Sequence, residues 1–238
     1  MKKQFWKSTF ITVAVGLMAG IAQADTYTFD DTWKDWPGTS TAHIDQLGTP
    51  GVTGLDVTVH NGILEKIEVK VADRQVYDVL FINTSYAGTS DPSWDNWDYL
   101  VYDGLVGFSY SANVVGSLPS LNGVYSVNNQ DSYTYTTAKD GSGWDVRQGN
   151  PNGIISSNLV LQSSFPYTIS YNATSDILTY SFANGIKLNG GFFVAYSEWC
   201  ANDVIGGGAE VPVPEPGTML LFGTGLAGLA AVSRRRRN

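Results

Sequence analysis

The sequence predicts an all-β protein, a single-domain antiparallel β-sandwich or jelly roll. Three observations favour this class. Apolar and polar residues alternate with a period of two, most clearly at residues 66–71 (Lys-Ile-Glu-Val-Lys-Val), which places one face of a strand in a core. Clusters of Gly, Asn, Asp and Pro interrupt the apolar runs at short spacing. Between residues 25 and 205 no stretch sustains the 3.6-residue apolar repeat of a helix.

The strands can be placed in chain order. Leu55–Val59 and the strand around Ile67–Val71 are predicted to form a hairpin through Asn61-Gly62, a dipeptide that favours the positive φ of tight hairpin turns. Further strands are predicted at Val76–Ile82, Tyr99–Tyr110 (two strands around Asp103-Gly104), Tyr133–Thr137, Ile154–Leu161, Tyr167–Tyr171, Leu178–Phe182 and Phe192–Trp199. With so few helices, the sheets must bury each other's faces.

Composition excludes several classes of protein. Of 238 residues, 43% are hydrophobic and 13% aromatic, too many for a disordered chain. Residues 25–211 hold seven Lys or Arg against 21 Asp or Glu, a formal charge of −14. A body this acidic repels phosphate backbones, so we expect no nucleic-acid partner. Two His and one Cys argue against a structural zinc site and against an internal disulfide.

The N-terminal residues 1–24 have the pattern of a secretory signal peptide. Three lysines lie within the first seven residues, and Phe10–Ile21 is an apolar run. Ala22-Gln23-Ala24 then provides the small residues that signal peptidase requires before its cleavage site. We therefore expect export and a mature chain that begins at Asp25.

The C-terminal residues predict a membrane anchor after the body at 25–205. Residues 206–216, which include Gly206-Gly207-Gly208, are predicted as a flexible linker. Residues 217–233 carry no charge and would form a helix about 25 Å long, at the short end of what crosses a bilayer. Residues 234–238 follow as a basic cytoplasmic tail, because arginines next to an apolar span stay on that side. Its basic residues are Arg234, Arg235, Arg236 and Arg237.

This tail resembles a known sorting signal. Pro214-Glu215-Pro216, an apolar span and a terminal arginine cluster are together similar to the PEP-CTERM signal of Gram-negative bacteria, over about the last 26 residues. The resemblance implies that an exosortase, a membrane-embedded cysteine protease, recognises the motif and removes the tail. The protein would then pass to the cell surface or the extracellular matrix.

A second resemblance lies in the body. Residues 199–205 (Trp-Cys-Ala-Asn-Asp-Val-Ile) are similar to the closing segment of a recurrent β-rich ectodomain found with PEP-CTERM tails. Asp78–Ile82 and Trp97–Tyr99 resemble its middle strands, although here the tryptophan directly precedes the cysteine. This ectodomain family is known by its sorting signal and not by an activity.

The residues that could support catalysis are few. The only imidazoles, His43 and His60, lie outside any nucleophile-elbow motif, which argues against a catalytic triad. A glycoside hydrolase needs two carboxylates across the sugar, and Glu198 beside Trp199 is the one acid with an apolar setting. The alternative, which we favour, places Glu198 outward on an edge strand. Cys200 is expected to be a small buried side chain.

Two binding sites remain as hypotheses. Oxygen ligands for calcium are available from Asp91, Asp95 and Asp98 in one loop, and a second loop carries Asp140, Ser142 and Asp145, but neither has EF-hand spacing. Trp94 and Trp97 flank Asp95-Asn96 in that first loop, and Trp33 and Trp36 form a similar pair. Planar rings beside polar groups can stack on sugars, although tryptophans are as often core residues.

The sequence as a whole predicts an exported, membrane-anchored protein without catalytic activity. Its work would be structural or adhesive at the cell surface, in an exopolysaccharide or biofilm matrix. The alternatives are a calcium-dependent carbohydrate-binding module and, less favoured, a glycoside hydrolase. The expected partners are signal peptidase, exosortase, the membrane and extracellular polysaccharide.

Overall fold

The computed structural model describes residues 24–33, 36–37, 51–74, 76–104, 114–139, 147–211 and 223–225. Within these residues the chain forms fourteen strands and two short 3₁₀ helices, at Gln130–Ser132 and Ser156–Asn158. The strands are β1 (Asp25–Asp30), β2 (Gly51–His60), β3 (Ile63–Ala72), β4 (Tyr77–Asn83), β5 (Tyr99–Gly104), β6 (Val114–Val115), β7 (Gly123–Val127), β8 (Tyr135–Ala138), β9 (Pro151–Ile154), β10 (Leu159–Leu161), β11 (Tyr167–Asn172), β12 (Ile177–Lys187), β13 (Gly191–Glu198) and β14 (Val204–Glu210).

The strands form three sheets. The first has the order β1-β2-β3-β12-β11, the second β10-β7-β5-β4-β13-β14, and the small third sheet β6-β8-β9. Each described pair of neighbours is antiparallel. The predicted all-β, antiparallel fold is therefore confirmed, whereas the jelly-roll connectivity stays a prediction.

The first two sheets share one apolar core. It is built from alternate positions of strands on both sides, as expected when each sheet turns one face inward. Its fully buried members include Leu55, Val57, Ile67, Val69, Leu178 and Tyr180 from the first sheet, and Leu80, Ile82, Phe192, Val194 and Tyr196 from the second. The sheets bury each other's faces, as the scarcity of helices predicts.

The second sheet is covered on both faces. Its central strand β4 is buried along its whole length, which accounts for the continuous apolar run Val79–Ile82. Leu80 and Ile82 contribute to the core between the sheets, while Val79 and Phe81 pack on the opposite side with a second cluster. That second cluster is rich in tryptophan and contains the residues proposed for sugar binding.

The predicted hairpin is confirmed. Asn61 and Gly62 have φ of 52° and 75° and connect β2 to β3 with His60 opposite Ile63. The alternation in β3 buries Ile67, Val69 and Val71 and leaves the lysines and glutamates between them partly or fully exposed. The hairpin therefore forms for the two reasons read from the sequence, a positive-φ turn and a period-two pattern.

Some predicted strand boundaries are wrong. Residues 154–161 are not one strand, because the 3₁₀ turn Ser156–Asn158 separates β9 from β10. In the region 99–110, β5 ends at Gly104, and residues 105–113 lie outside the described residues. The predicted sequence of strands also omitted β1, β6, β7 and β14.

The predicted linker at 206–216 is wrong in its first five residues. Gly206, Gly207 and Gly208 belong to β14, which pairs with β13 from Val204 to Glu210. A Cβ on Gly206 would collide with the Trp33 indole, and one on Gly207 with the Phe29 ring. The glycines therefore permit aromatic side chains of the N-terminal segment to lie directly on the strand, rather than making the chain flexible.

The two predicted targeting segments lie almost entirely outside the described residues. Only Ala24 of residues 1–24 is described, and it is exposed immediately before β1. Of residues 217–233 only 223–225 are described. Within the described ranges, no helix has both the length and the apolar character needed to cross a bilayer.

Candidate functional site

The loop between β4 and β5 contains the three aspartates proposed to bind calcium. Asp91 accepts hydrogen bonds from the backbone N–H groups of Ala87 and Ser93, both at 2.8 Å. These bonds close the loop on itself, in the way that aspartates commonly stabilise turns. Both carboxylate oxygens of Asp91 are thus engaged within the loop.

Asp98 is also engaged by the protein. Its Oδ2 accepts from the backbone N–H and the hydroxyl of Thr84, at 2.7 and 2.6 Å, and its Oδ1 accepts from the Gln130 side chain. The Asp95 carboxylate accepts from the Tyr133 hydroxyl at 3.0 Å. Among the described residues no group of three or more His, Cys, Asp or Glu could hold a metal ion. The calcium site at Asp91, Asp95 and Asp98 therefore stays a prediction without support from the described residues, and residues 140–145 of the second proposed loop lie outside them.

The proposed sugar-stacking pair is part of an aromatic cluster. This aromatic cluster consists of Trp33, Trp36, Phe81, Trp94, Trp97, Tyr135 and Phe193, whose ring centroids lie 5.1–6.3 Å from their neighbours. Trp97 is 0% exposed and Trp36 1%. A ring that is buried cannot stack on a ligand, so the prediction of a two-tryptophan platform at Trp94 and Trp97 is wrong. These residues instead cover the outer face of the second sheet.

A hydrogen-bonded chain connects this cluster to the surface. The Trp97 indole N–H donates to the Tyr135 hydroxyl at 2.9 Å, which donates to the Tyr133 hydroxyl at 2.7 Å. Tyr133 donates in turn to the Asp95 carbonyl oxygen at 2.7 Å. Burial raises the pKa of both tyrosines, and the Asp95 charge adds to the effect. Both phenols stay neutral, so the chain serves to satisfy buried polar atoms.

A shallow groove opens where this chain ends. It has a volume of about 410 Å³ and is lined by Asp95, Asn96, Gln130, Asp131 and Tyr133. The Tyr133 hydroxyl donates a hydrogen bond to the Asp95 carboxylate, and the lining as a whole is polar. The described residues that line the groove include no nucleophile–base pair of the kind that covalent catalysis requires.

Glu198 is buried, contrary to our prediction of an outward residue on an edge strand. Its strand β13 lies between β4 and β14, and the residue is 1% exposed. Oε1 accepts a hydrogen bond from the Cys200 thiol at 3.3 Å, while Oε2 has no hydrogen-bond partner among the described residues. Desolvation raises the pKa of Glu198 well above its usual value, and the charges of Asp203 and Asp78 raise it further. The burial of Glu198 keeps substrates away from its carboxyl group.

The environment of Glu198 confirms the expectation for Cys200. The thiol is fully buried, and burial raises its pKa, so it is an unreactive packing residue. His60, by contrast, is half exposed, with its Nδ1 3.4 Å from Glu65. His43 lies outside the described residues.

The raised acid pKa values predict a pH dependence of stability. A carboxyl whose folded-state pKa is raised stabilises the fold fully below its unfolded value, and this contribution is lost as pH rises through the folded value. Two groups are relevant, Glu198 and Asp31. Desolvation raises the pKa of Glu198, and desolvation and the charge of Asp203 raise the pKa of Asp31 to about 6. We expect Glu198→Gln to raise Tm at pH 8 by a few degrees, since about 1 kcal/mol corresponds to about 2–4 °C in a domain of this size.

This prediction is checked by differential scanning calorimetry between pH 4 and pH 8. Wild-type Tm should fall with rising pH more steeply than that of Glu198→Gln. Glu65→Gln, at an exposed site, should keep the wild-type slope. Equal slopes in all three proteins would show that Glu198 is already ionised in the folded state.

A second buried network was missed by the sequence analysis. The Arg74 guanidinium donates through Nε to Asp78 and through Nη2 to Asp103, and the Tyr196 hydroxyl donates to Asp78. Arg74 and Asp78 side chains are 7% and 2% exposed. Asp78 lies directly opposite Glu198 across β4 and β13. The sequence signal of this network was Asp78, an acid placed directly before the continuous apolar run of β4.

The C-terminal strand brings the sorting tail to a defined point of the body. Val211 is buried at 7% exposure, and its N–H donates to the Gly190 carbonyl at 2.9 Å. The remaining residues that we predicted to carry the targeting function lie outside the described residues. They are Ala22, Pro214, Glu215, Pro216, Arg234, Arg235, Arg236 and Arg237.

Comparison with known families identifies that tail. Residues 212–237 match the PEP-CTERM protein-sorting motif. The match begins at the residue after Val211 and includes Pro214-Glu215-Pro216 and all four arginines. No curated protein and no solved structure matches the chain. The chain therefore carries a PEP-CTERM protein-sorting motif, which begins two residues after the last strand of an all-β body ends.

Proposed function

We propose that this chain is a structural or adhesive protein of the cell surface or extracellular matrix, without catalytic activity, delivered there by signal peptidase and exosortase. The observation that carries the proposal is the sorting motif at 212–237, which implies export and processing by exosortase. The acidic charge of the body, −14 over residues 25–211, suits a soluble protein in a hydrated polysaccharide matrix.

The arrangement of the body's acids supports a role outside catalysis. A glycoside hydrolase needs two carboxyl groups that reach the sugar from either side. The acids with raised pKa in the core, Glu198 and Asp78, are each 1% exposed. Asp91 of the β4–β5 loop is partly buried, and both of its carboxylate oxygens accept hydrogen bonds from backbone N–H groups of that loop.

The proposal is tested in the native host with the full-length chain. We expect wild-type protein in the surface or matrix fraction, with an intact mass that begins at Asp25 and lacks the apolar tail. Replacing Pro214-Glu215-Pro216 by three alanines should leave the protein in the membrane fraction with its tail retained. The measurement is intact-mass spectrometry of each fraction.

Glu210→Ala provides the matched control. Glu210 is an exposed acid five residues before Glu215 and outside the matched motif, so its replacement should not change sorting. A triple-alanine variant with the same mass and location as wild type would refute exosortase sorting. A measured hydrolase activity toward the host's own polysaccharide would refute the non-catalytic role.

A further inference from the structure

The body ends in a rigid surface next to the sorting motif. This exit face consists of Asn61, Gly62, Ile63, Lys187, Leu188, Gly190 and Val211, which line a cavity of about 130 Å³. Three backbone hydrogen bonds hold it together. They run from Leu188 N–H to Gly62 O, from Asn189 N–H to Thr84 O and from Val211 N–H to Gly190 O, at 2.9, 2.7 and 2.9 Å.

The distance from this face to the motif is limited by covalent geometry. Only Pro212 and Val213 separate Val211 from Pro214. Three residue steps span at most about 10 Å, whatever conformation the chain adopts. Val211 itself cannot supply more length, because it is buried and follows a strand whose seven residues all pair with β13.

An enzyme that acts on the motif must therefore meet the body. Catalytic sites are concave and enclose most of the segment that they bind. With the motif in such a cleft, a folded body about 10 Å away lies against the rim of that cleft. The lining of the exit face includes Lys187 and, in contrast to the acidic body as a whole, no carboxylate.

The geometry points to the exit face as a docking surface for the membrane-embedded exosortase, so that the enzyme contacts the folded body as well as the linear motif. This inference rests on the proposed sorting function. It predicts that the body has one orientation relative to the enzyme during processing. The β2–β3 turn and the C-terminal end of β12 then lie toward the enzyme. The opposite end of β12 then faces away.

The two ends of β12 provide a matched pair of positions for a cross-linking test. Lys187 and Thr174 are both exposed, and β12 separates them by about 30 Å. A photo-crosslinking amino acid is placed at either position of the full-length chain in the native host. We expect a covalent adduct with exosortase from position 187 and none from position 174.

Inserting a spacer tests the contact between the enzyme and the body separately from recognition of the motif. A ten-residue Gly/Ser insertion between Val211 and Pro212 leaves the motif intact but adds a random-coil reach of about 17 Å. The adduct from position 187 should then fall by about three- to tenfold, as expected when the local concentration of the body at the enzyme drops. Cleavage of the tail should still be detected.

The outcomes distinguish this inference from the proposed function. Normal tail removal without an adduct from position 187, equal adducts from both positions, or an adduct with lipid alone would each overturn the docking surface and leave sorting intact. Loss of tail removal in the wild-type chain would instead refute the sorting function itself.

Discussion

Replacing Arg74 by methionine is expected to lower the free energy of unfolding by about 3–5 kcal/mol, because it leaves the buried carboxylate of Asp78 and the partly buried one of Asp103 without their cation. Desolvation raises the pKa of Asp78, and the Arg74 charge and the Tyr196 hydrogen bond oppose this effect. Methionine keeps much of the side-chain volume but removes both hydrogen bonds to Asp78 and Asp103. The loss is measured by urea unfolding at pH 7, followed by tryptophan fluorescence.

Two further variants give this prediction its controls. Adding Asp78→Asn to Arg74→Met should recover part of the lost stability, since it removes the charge that the arginine neutralised. Lys66→Met removes a surface ion pair in which Lys66 Nζ lies 2.8 Å from Glu68, and should cost no more than about 1 kcal/mol. If Arg74→Met cost no more than Lys66→Met, the buried network would not contribute to stability.

Gly191→Ala is expected to cost about 3 kcal/mol, at the upper end of the usual range for overpacking a core. Gly191 is the first residue of β13 and is buried. A methyl group there would lie 2.8 Å from the Ala209 carbonyl oxygen and closer still to that of Tyr86. These are backbone atoms held in place by the sheet, so they cannot move aside as a flexible side chain would. Thermal unfolding followed by circular dichroism measures the effect.

Gly54→Ala is the matched control for this substitution. Gly54 also lies in a strand, but a methyl group there first meets Cδ of Lys70, at 3.2 Å. A lysine side chain that is nearly half exposed can shift at little cost, so Tm should change by no more than a few degrees. Similar losses in both variants would mean that the cost comes from strand glycines in general and not from the contact at Gly191.

Much of the fold was predictable because local patterns and tertiary structure agree. The Asn61-Gly62 turn and the alternation in β3 each favour the hairpin that forms. The sorting motif was equally predictable, since three successive features of one short segment define it. In these regions the signal is contained in neighbouring residues, and long-range contacts do not alter it.

The surroundings of the proposed binding residues could not be predicted from the sequence. A loop aspartate has the same sequence neighbours whether it binds a metal ion or accepts hydrogen bonds from its own loop. Asp91 accepts hydrogen bonds from its own loop. Trp97 has the same neighbours in sequence whether it is exposed or covered, and Phe81, Trp36 and Phe193 cover it. For Trp97 the outcome depends on residues more than ten positions away in the chain, whereas the donors to Asp91 are near it in sequence, and only their backbone conformation could not be predicted.

The amino-acid sequence alone was enough to establish an acidic, antiparallel all-β body followed by a sorting signal, since charge, period-two alternation and a contiguous motif are local properties. Tertiary structure decided that Gly206–Gly208 is strand, that Glu198 is buried opposite Asp78, and that the motif begins beside a rigid face. The physical reason is that the solvent exposure of each residue is determined only when strands distant in sequence pack together. Exposure in turn determines whether a carboxyl is charged, a ring is available or a glycine is required.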